Sequence, residues 1–290
     1  MKKNPFVQIL TWLAIMAVLT LFVMGAWLLF GDTHSTAGLK WLQFAQTMAT
    51  FLLPPVLCAA IWSDDHKPFR WLHLDTKPDG FLCFIAITIM ICAVPAINLL
   101  ADLNSRISLP DSLAALEHQL RAMEEAAAAL TERFLQTDSF GGLIINIGLM
   151  ALLPAFAEEL SFRGTLQQVI TNHPYLQIVP SGKESPITNH VAVWLTAIIF
   201  SAIHMQFFGF IPRMLMGAMF GYVFLWSGSL WIPILMHFTN NSLAVIAFYC
   251  FGQNSSADTI GTGATWWLGV LSLVLTSLGL LIFYRRTHKE

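Results

Sequence analysis

Apolar runs long enough to cross a bilayer recur along the chain, separated by short polar breaks. A spanning helix needs about 20 apolar residues. Residues 6–30 form the first such run, and 31–38 the polar turn after it. Residues 39–62 form the second, with Pro54 and Pro55 inside, a pair that predicts a kink or break. A loop over 63–80, holding Lys67, Arg70 and Lys77, leads to the third run, 81–101. The fourth spans about 140–171. Residues 172–190, with Pro174, Pro180, Gly182 and Pro186, read as a loop. The run 191–226 is too long for one span, and Gly209 and Pro212 predict a break between a fifth helix, starting near Trp194, and a sixth. The seventh run, 230–251, follows the turn Ser227-Gly228-Ser229, and the eighth covers 266–284.

One long polar insertion, 102–139, interrupts this series. Pro110, Asp111 and Ser112 mark a helix start. Apolar residues then recur at Leu113, Leu116, Leu120, Met123, Ala127, Leu130 and Phe134, three and four apart, which is an amphipathic stripe. It predicts a helix lying on the bilayer surface or against the spans; a substrate lid or a partner-binding helix is the other reading.

Composition agrees with the pattern. Hydrophobic residues make up 56% and charged residues 11%, where a soluble domain carries about 25% charge; the mean hydropathy is +0.64. The 22 Phe and 10 Trp suit lipid-facing and interfacial surfaces. The expected fold is an all-α, polytopic membrane bundle of about eight spans and one extra amphipathic helix. It reads as a single transmembrane domain over 1–290, with neither an internal repeat nor a linker. A net charge of −2 points away from nucleic acid and leaves membrane lipid as the evident partner. Cys58, Cys83, Cys92 and Cys250 sit in apolar runs without metal or redox spacing and read as packing residues. The opening Met1-Lys2-Lys3-Asn4-Pro5 resembles a signal peptide, but the apolar run is too long and reads as the first span. Lys2 and Lys3 place the N-terminus inside. Eight spans return the C-terminus inside with Arg285, Arg286 and Lys289, and the loop with Lys67, Arg70 and Lys77 falls there too. A cell membrane, with both termini cytoplasmic, is the expected location. No sequence feature fixes an oligomeric state.

The candidate chemistry lies in three of the runs. Residues 157–164 read A-E-E-L-S-F-R-G inside an otherwise apolar stretch. A charge at membrane depth costs about 2.5–3.5 kcal/mol on insertion scales, so three together need a reason. Glu159 and Arg163 are four apart and can pair. Glu158 is turned about 100° from Glu159 and has no partner nearby in sequence. It is the expected working carboxylate, with Glu159 and Arg163 holding the helix around it. The stretch F-S-A-I-H puts Phe200 and His204 on one face of the fifth helix, and H-F-T-N-N puts His237 and Asn241 on one face of the seventh. Asn240 faces elsewhere. Polar side chains inside spans must find one another or a wet cavity. A carboxylate in such a cavity can act as general base. The imidazoles either help position a water or, with the glutamate, bind a divalent metal such as zinc that keeps one position open. An asparagine amide can donate to a developing oxyanion. Together these fit amide hydrolysis by an activated water. Neither G-x-S-x-G nor H-E-x-x-H is present. The remaining histidines, His34, His66, His73, His118, His173, His190 and His288, read as solvated.

The ordered set E-E-x-x-x-R, F-x-x-x-H and H-x-x-x-N on successive hydrophobic helices resembles the family of CAAX prenyl proteases and bacteriocin-processing enzymes, the CPBP or Abi family. The resemblance covers roughly 140–251, and all three motifs are complete. It implies an intramembrane endopeptidase acting on membrane-associated proteins or peptides, CAAX-type prenylated chains among them. Glu158, His204 and His237 would form the catalytic core and Asn241 the oxyanion donor, with Glu159, Arg163 and Phe200 in support. The family is labelled metalloprotease, while its archaeal members suggest a glutamate-activated water, so the resemblance implies either zinc held by Glu158, His204 and His237 or no cofactor at all. Two rival readings of the same residues are a proton-coupled transporter and a non-catalytic scaffold or chaperone. The first lacks an inverted repeat and matched broken helices; the second sits poorly with intact motifs.

Overall fold

Pro5–Phe30 is a run of 26 residues without a single charge, and it forms α1, its first turn capped by the Asn4 side chain accepting from the Phe6 N–H at 2.9 Å. The chain is described here by a computed structural model over residues 4–32, 34–63, 65–172, 186–252 and 259–288. Ser35 caps the second helix, α2, Thr36–Trp62. The proline pair does not break α2. A π-helical turn at Met48–Leu52 widens the helix just before Pro54 and Pro55 and gives the rings room. A single turn, α3 (Pro68–Trp71), sits in the following loop, and α4 (Gly80–Ser105) starts on an Asp79 cap. It outruns the expected end at 101. Asn104 anchors it, donating to the Phe207 carbonyl at 3.2 Å and accepting from the Ile211 N–H at 2.8 Å.

The insertion is helical as its stripe predicts: α5 covers Ala114–Leu135. Leu113, Leu116, Met123 and Leu130 are exposed, Leu120 and Ala127 half-buried, and Phe134 buried, so much of the apolar face meets the surroundings rather than the protein. Glu117 ties α5 to the segment before it, accepting from the Leu109 N–H at 2.7 Å and from Arg121 at 2.8 and 2.9 Å. The Leu109 amide, and after it Arg121, hold the Glu117 carboxyl below its ordinary 4.5. A depressed carboxylate stabilises above its unfolded value and releases as pH falls through its folded one. Protection of the Leu109 amide from hydrogen exchange should therefore be full at pH 7 and disappear well below pH 4.5, and Glu117→Gln should remove that pH dependence.

The fourth long helix, α6, runs Phe140–Thr171. It carries two π-helical turns, Ile147–Leu152 just before Pro154 and Phe162–Gln167 just after the acidic pair. The next helix, α7 (Pro186–Ala202), begins inside the stretch read as a loop. Two of its polar first-turn residues pack on the protein: Thr188 is buried, and His190 Nδ1 meets the Tyr222 hydroxyl at 2.7 Å. His173, Pro174, Pro180 and Gly182 lie outside the described residues. After a turn, α8 (Phe210–Ser227), α9 (Trp231–Phe251) and α10 (Trp266–Thr287) complete the bundle. Among the described residues seven helices are long and apolar enough to cross a membrane, and α7 is a shorter apolar helix beside them. This is an integral membrane bundle, and among the described residues all regular structure is helical.

At one end of the bundle the turn 228–230 is clamped to the loop before α4. The Leu230 N–H donates to the His73 carbonyl at 3.1 Å, His73 Nδ1 meets the Gly228 carbonyl at 3.0 Å, and Ser229 donates to Thr76 at 2.6 Å. His73 is thus half-buried and engaged, not solvated. At the other end Arg133 of α5 donates to the His34 carbonyl at 2.7 Å. Phe162, Leu166, Phe200 and Trp62 form one core cluster, and Phe220, Ile232, Met236 and Met90 another. The acidic stretch of α6 sits against both, since Arg163 reaches a ring of each.

Candidate active site

Glu159 and Arg163 stand one turn apart on α6, and both side chains are 0% exposed. Arg163 Nη1 donates to Glu159 Oε1 at 2.7 Å, and Nη2 donates to the Gly217 carbonyl of α8 at 2.7 Å. The guanidinium also lies over the Phe200 ring at 4.7 Å and near Phe220 at 5.4 Å. One turn further on, Gln167 Nε2 donates to the Gly221 carbonyl at 3.0 Å. The pattern depends on small residues. A Cβ at Gly217 would lie 3.1 Å from Phe200 and 3.3 Å from Arg163 Nη2, and one at Gly221 would lie 2.8 Å from Gln167 Oε1. The two glycines let α8 approach α6 closely enough for backbone carbonyls to receive these donors.

Glu159 does more than hold Arg163. Its Oε1 also receives His237 Nδ1 of α9 at 2.9 Å, across 78 residues of sequence. With Nδ1–H donating to Glu159, the other nitrogen, Nε2, is left as an acceptor. That nitrogen faces Glu158 Oε2 at 4.0 Å. The gap is too long for a direct hydrogen bond and suits one bridging water. The Glu158 side chain is 14% exposed, so water can reach it. Phe220 stacks on the His237 ring at 5.3 Å and fixes its plane.

His204 lies in a turn beyond α7 rather than on it, because the helix, which starts at Pro186 rather than near Trp194, ends at Ala202. It still returns to the Phe200 side: Nδ1 meets the Phe200 carbonyl at 2.8 Å and the two rings lie edge to face at 5.2 Å. Phe200, 1% exposed, also touches His237 at 6.0 Å between centroids, so one ring lies against both imidazoles. With Nδ1 donating to the carbonyl, His204 Nε2 is the free end. Asn241 stands one turn past His237, and Asn240 Nδ2 donates to its Oδ1 at 3.1 Å. Asn240 therefore belongs beside the motif, and the Asn241 Nδ2 is the end left to donate.

Metal binding can be tested against these side chains. A three-ligand zinc site needs donor atoms about 2.0–2.2 Å from a common point. Among the described residues no group of three or more His, Cys, Asp and Glu side chains has such an arrangement. Glu158, His204 and His237, as folded here, do not fit that ligand set.

Sequence reading passes over Arg213. The guanidinium of this α8 residue donates to Gln206 Oε1 through Nη2, while Nη1 is buried without a partner. It stands one turn of α8 before Gly217, whose carbonyl receives Arg163, and shares the corner at Gly209 with Glu124 of the insertion helix. Its one sequence signal was the charge itself inside an apolar run.

Comparison with known proteins gives two findings. Residues 140–243 match a family model described as Rce1-like, Type II CAAX prenyl endopeptidase Rce1-like. An uncharacterized Bacillus subtilis (strain 168) protein, YpbD, is 29% identical over 99 residues, 33% of this chain and 41% of that protein, so the alignment covers less than half of the relative. No solved structure matches.

Proposed function

We propose, from the match of residues 140–243 to the Rce1-like family model and from the site's geometry, that the protein is an intramembrane endopeptidase in which Glu158 activates a water for attack on a peptide bond. The observation that carries this reading is the facing pair of Glu158 Oε2 and His237 Nε2 at 4.0 Å, with His237 oriented from behind by Glu159. A water held between them gives its proton to Glu158 as its oxygen adds to the scissile carbonyl carbon. The Asn241 Nδ2 stabilises the oxyanion as it forms. The tetrahedral intermediate then collapses, the C–N bond breaks, and Glu158 returns the proton to the departing amine. His204, held by the Phe200 carbonyl, offers Nε2 to the same water. Glu159, Arg163 and Phe200 touch no reacting atom and act by positioning.

The substrate enters from the membrane or the cytoplasmic face, and membrane-associated proteins or peptides, CAAX-type prenylated chains among them, are the class in view. Both termini lie on the cytoplasmic side of a bacterial cell membrane, where the basic loops gather. Cleavage of a prenylated peptide by the purified protein in detergent tests the reading. His204→Ala should lower kcat about 10²-fold or more with little change in melting temperature. Turnover equal to wild type in that variant, or none by the wild type, counts against it.

A further inference from the structure

Arg213 is a charge that the hydrolytic scheme leaves without a task. It sits on a membrane helix, where an ionised side chain is costly unless it is paired. Among the described residues, however, no carboxylate lies within ion-pair distance of it. Its side-chain acceptor is the neutral Gln206 amide oxygen, which takes Nη2, and Nη1 is buried with no acceptor among the described residues. The guanidinium is half-buried and lies against Gly209: Nη2 would be 3.4 Å from a Cβ there, and Glu124 Oε1 of the insertion helix would be 3.8 Å from that same point. The insertion helix is held over this corner by Arg121, whose guanidinium lies 3.9 Å from the Phe208 ring centre. A preformed fork with one empty tooth, one turn of α8 before the Gly217 carbonyl that receives Arg163, is the donor geometry that a carboxylate ligand fills.

We propose that Arg213 anchors a carboxylate of the substrate next to the scissile bond, with Gln206 orienting the guanidinium and α5 closing the corner through Glu124 and Arg121. The anchor rests on the reading of Glu158 as the hydrolytic base, since that is what makes this corner part of a substrate site. Glu124 stands at the same corner without pairing with Arg213, so the guanidinium is left for the incoming carboxylate.

Binding, not turnover, is the discriminating readout. A short dansyl-labelled prenylated peptide carrying one Glu and a free C-terminus is titrated into the full chain in detergent, beside its C-terminal carboxamide and its Glu→Gln counterpart. One of the two neutralised peptides should bind the wild type about tenfold more weakly, which identifies the terminal or the side-chain carboxylate as the anchor's ligand. Arg213→Gln should bind all three alike, and Arg213→Lys, which keeps the charge, should retain part of the preference. Equal binding of the three peptides to wild type, no binding of any of them, or a preference that survives Arg213→Gln overturns the anchor. Because the assay needs no cleavage, a preserved binding preference with no product formed would count against the peptidase reading and leave the anchor standing.

Discussion

Arg163→Met should be the most destabilising single change in the candidate site, by about 3–5 kcal/mol, because it leaves a buried carboxylate without its cation. The magnitude follows from burial, not from pairing as such. Arg106–Asp102 has the same four-residue spacing and a comparable 2.7 Å contact, but Arg106 is 65% exposed, and pairs of that kind contribute about 0–1 kcal/mol. Arg163 and Glu159 are fully enclosed, and Glu159 Oε2 already has no hydrogen-bond partner. Removing the guanidinium therefore leaves Glu159 with His237 alone, and removes the strut from α6 to the Gly217 carbonyl. The double variant Arg163→Met, Glu159→Met should melt above the single one, since an apolar pair of similar volume replaces an orphaned charge. Thermal unfolding in detergent reads both. A single variant that melts with wild type would show that this pair does not hold α6 to α8.

The parts of this site that could be read from the sequence are those whose partners lie within one helical turn. Glu159 and Arg163 declare themselves by spacing, Glu158 by being turned away from them, and Phe200 with His204 by the same rule. What could not be read is carried by atoms without a sequence sign, or by partners far along the chain. The acceptors of Arg163 and Gln167 are backbone carbonyls at Gly217 and Gly221, and nothing in a residue type announces a bonded carbonyl. The bond from His237 to Glu159 crosses 78 residues, so the second carboxylate reads as a structural ion-pair member until the fold shows that it also orients the imidazole. Arg213 bonds Gln206 in the turn before α8 and shares the Gly209 corner with Glu124 of the insertion, which no periodicity relates to it. The bundle was readable because spans depend on length and hydropathy alone. Its misplaced start of α7 came from reading Thr188 and His190 as loop residues, whereas Thr188 is buried and His190 bonds Tyr222.

Glu158→Gln keeps shape and volume and removes the base, so cleavage should fall by about 10²–10⁴-fold while the melting temperature stays near wild type. The contrast with its neighbour is what makes the experiment informative. Glu159 has the same chemistry one residue away, but it bonds Arg163 and His237 and touches nothing that reacts. Glu159→Gln should lower the melting temperature and reduce turnover only indirectly, through a His237 ring no longer held with Nε2 toward Glu158. The distance between those two groups, 4.0 Å, leaves room for the water and for no second side chain, so Glu158→Asp, which draws the carboxylate back by one methylene, should lose most of the rate as well while still titrating as an acid. Activity that tracks the presence of any carboxylate at 158 would place its role in electrostatics. Activity that tracks its reach would place it in contact with the nucleophile. Full turnover by Glu158→Gln would remove the carboxylate from the chemistry altogether and leave the facing pair as a structural contact between α6 and α9.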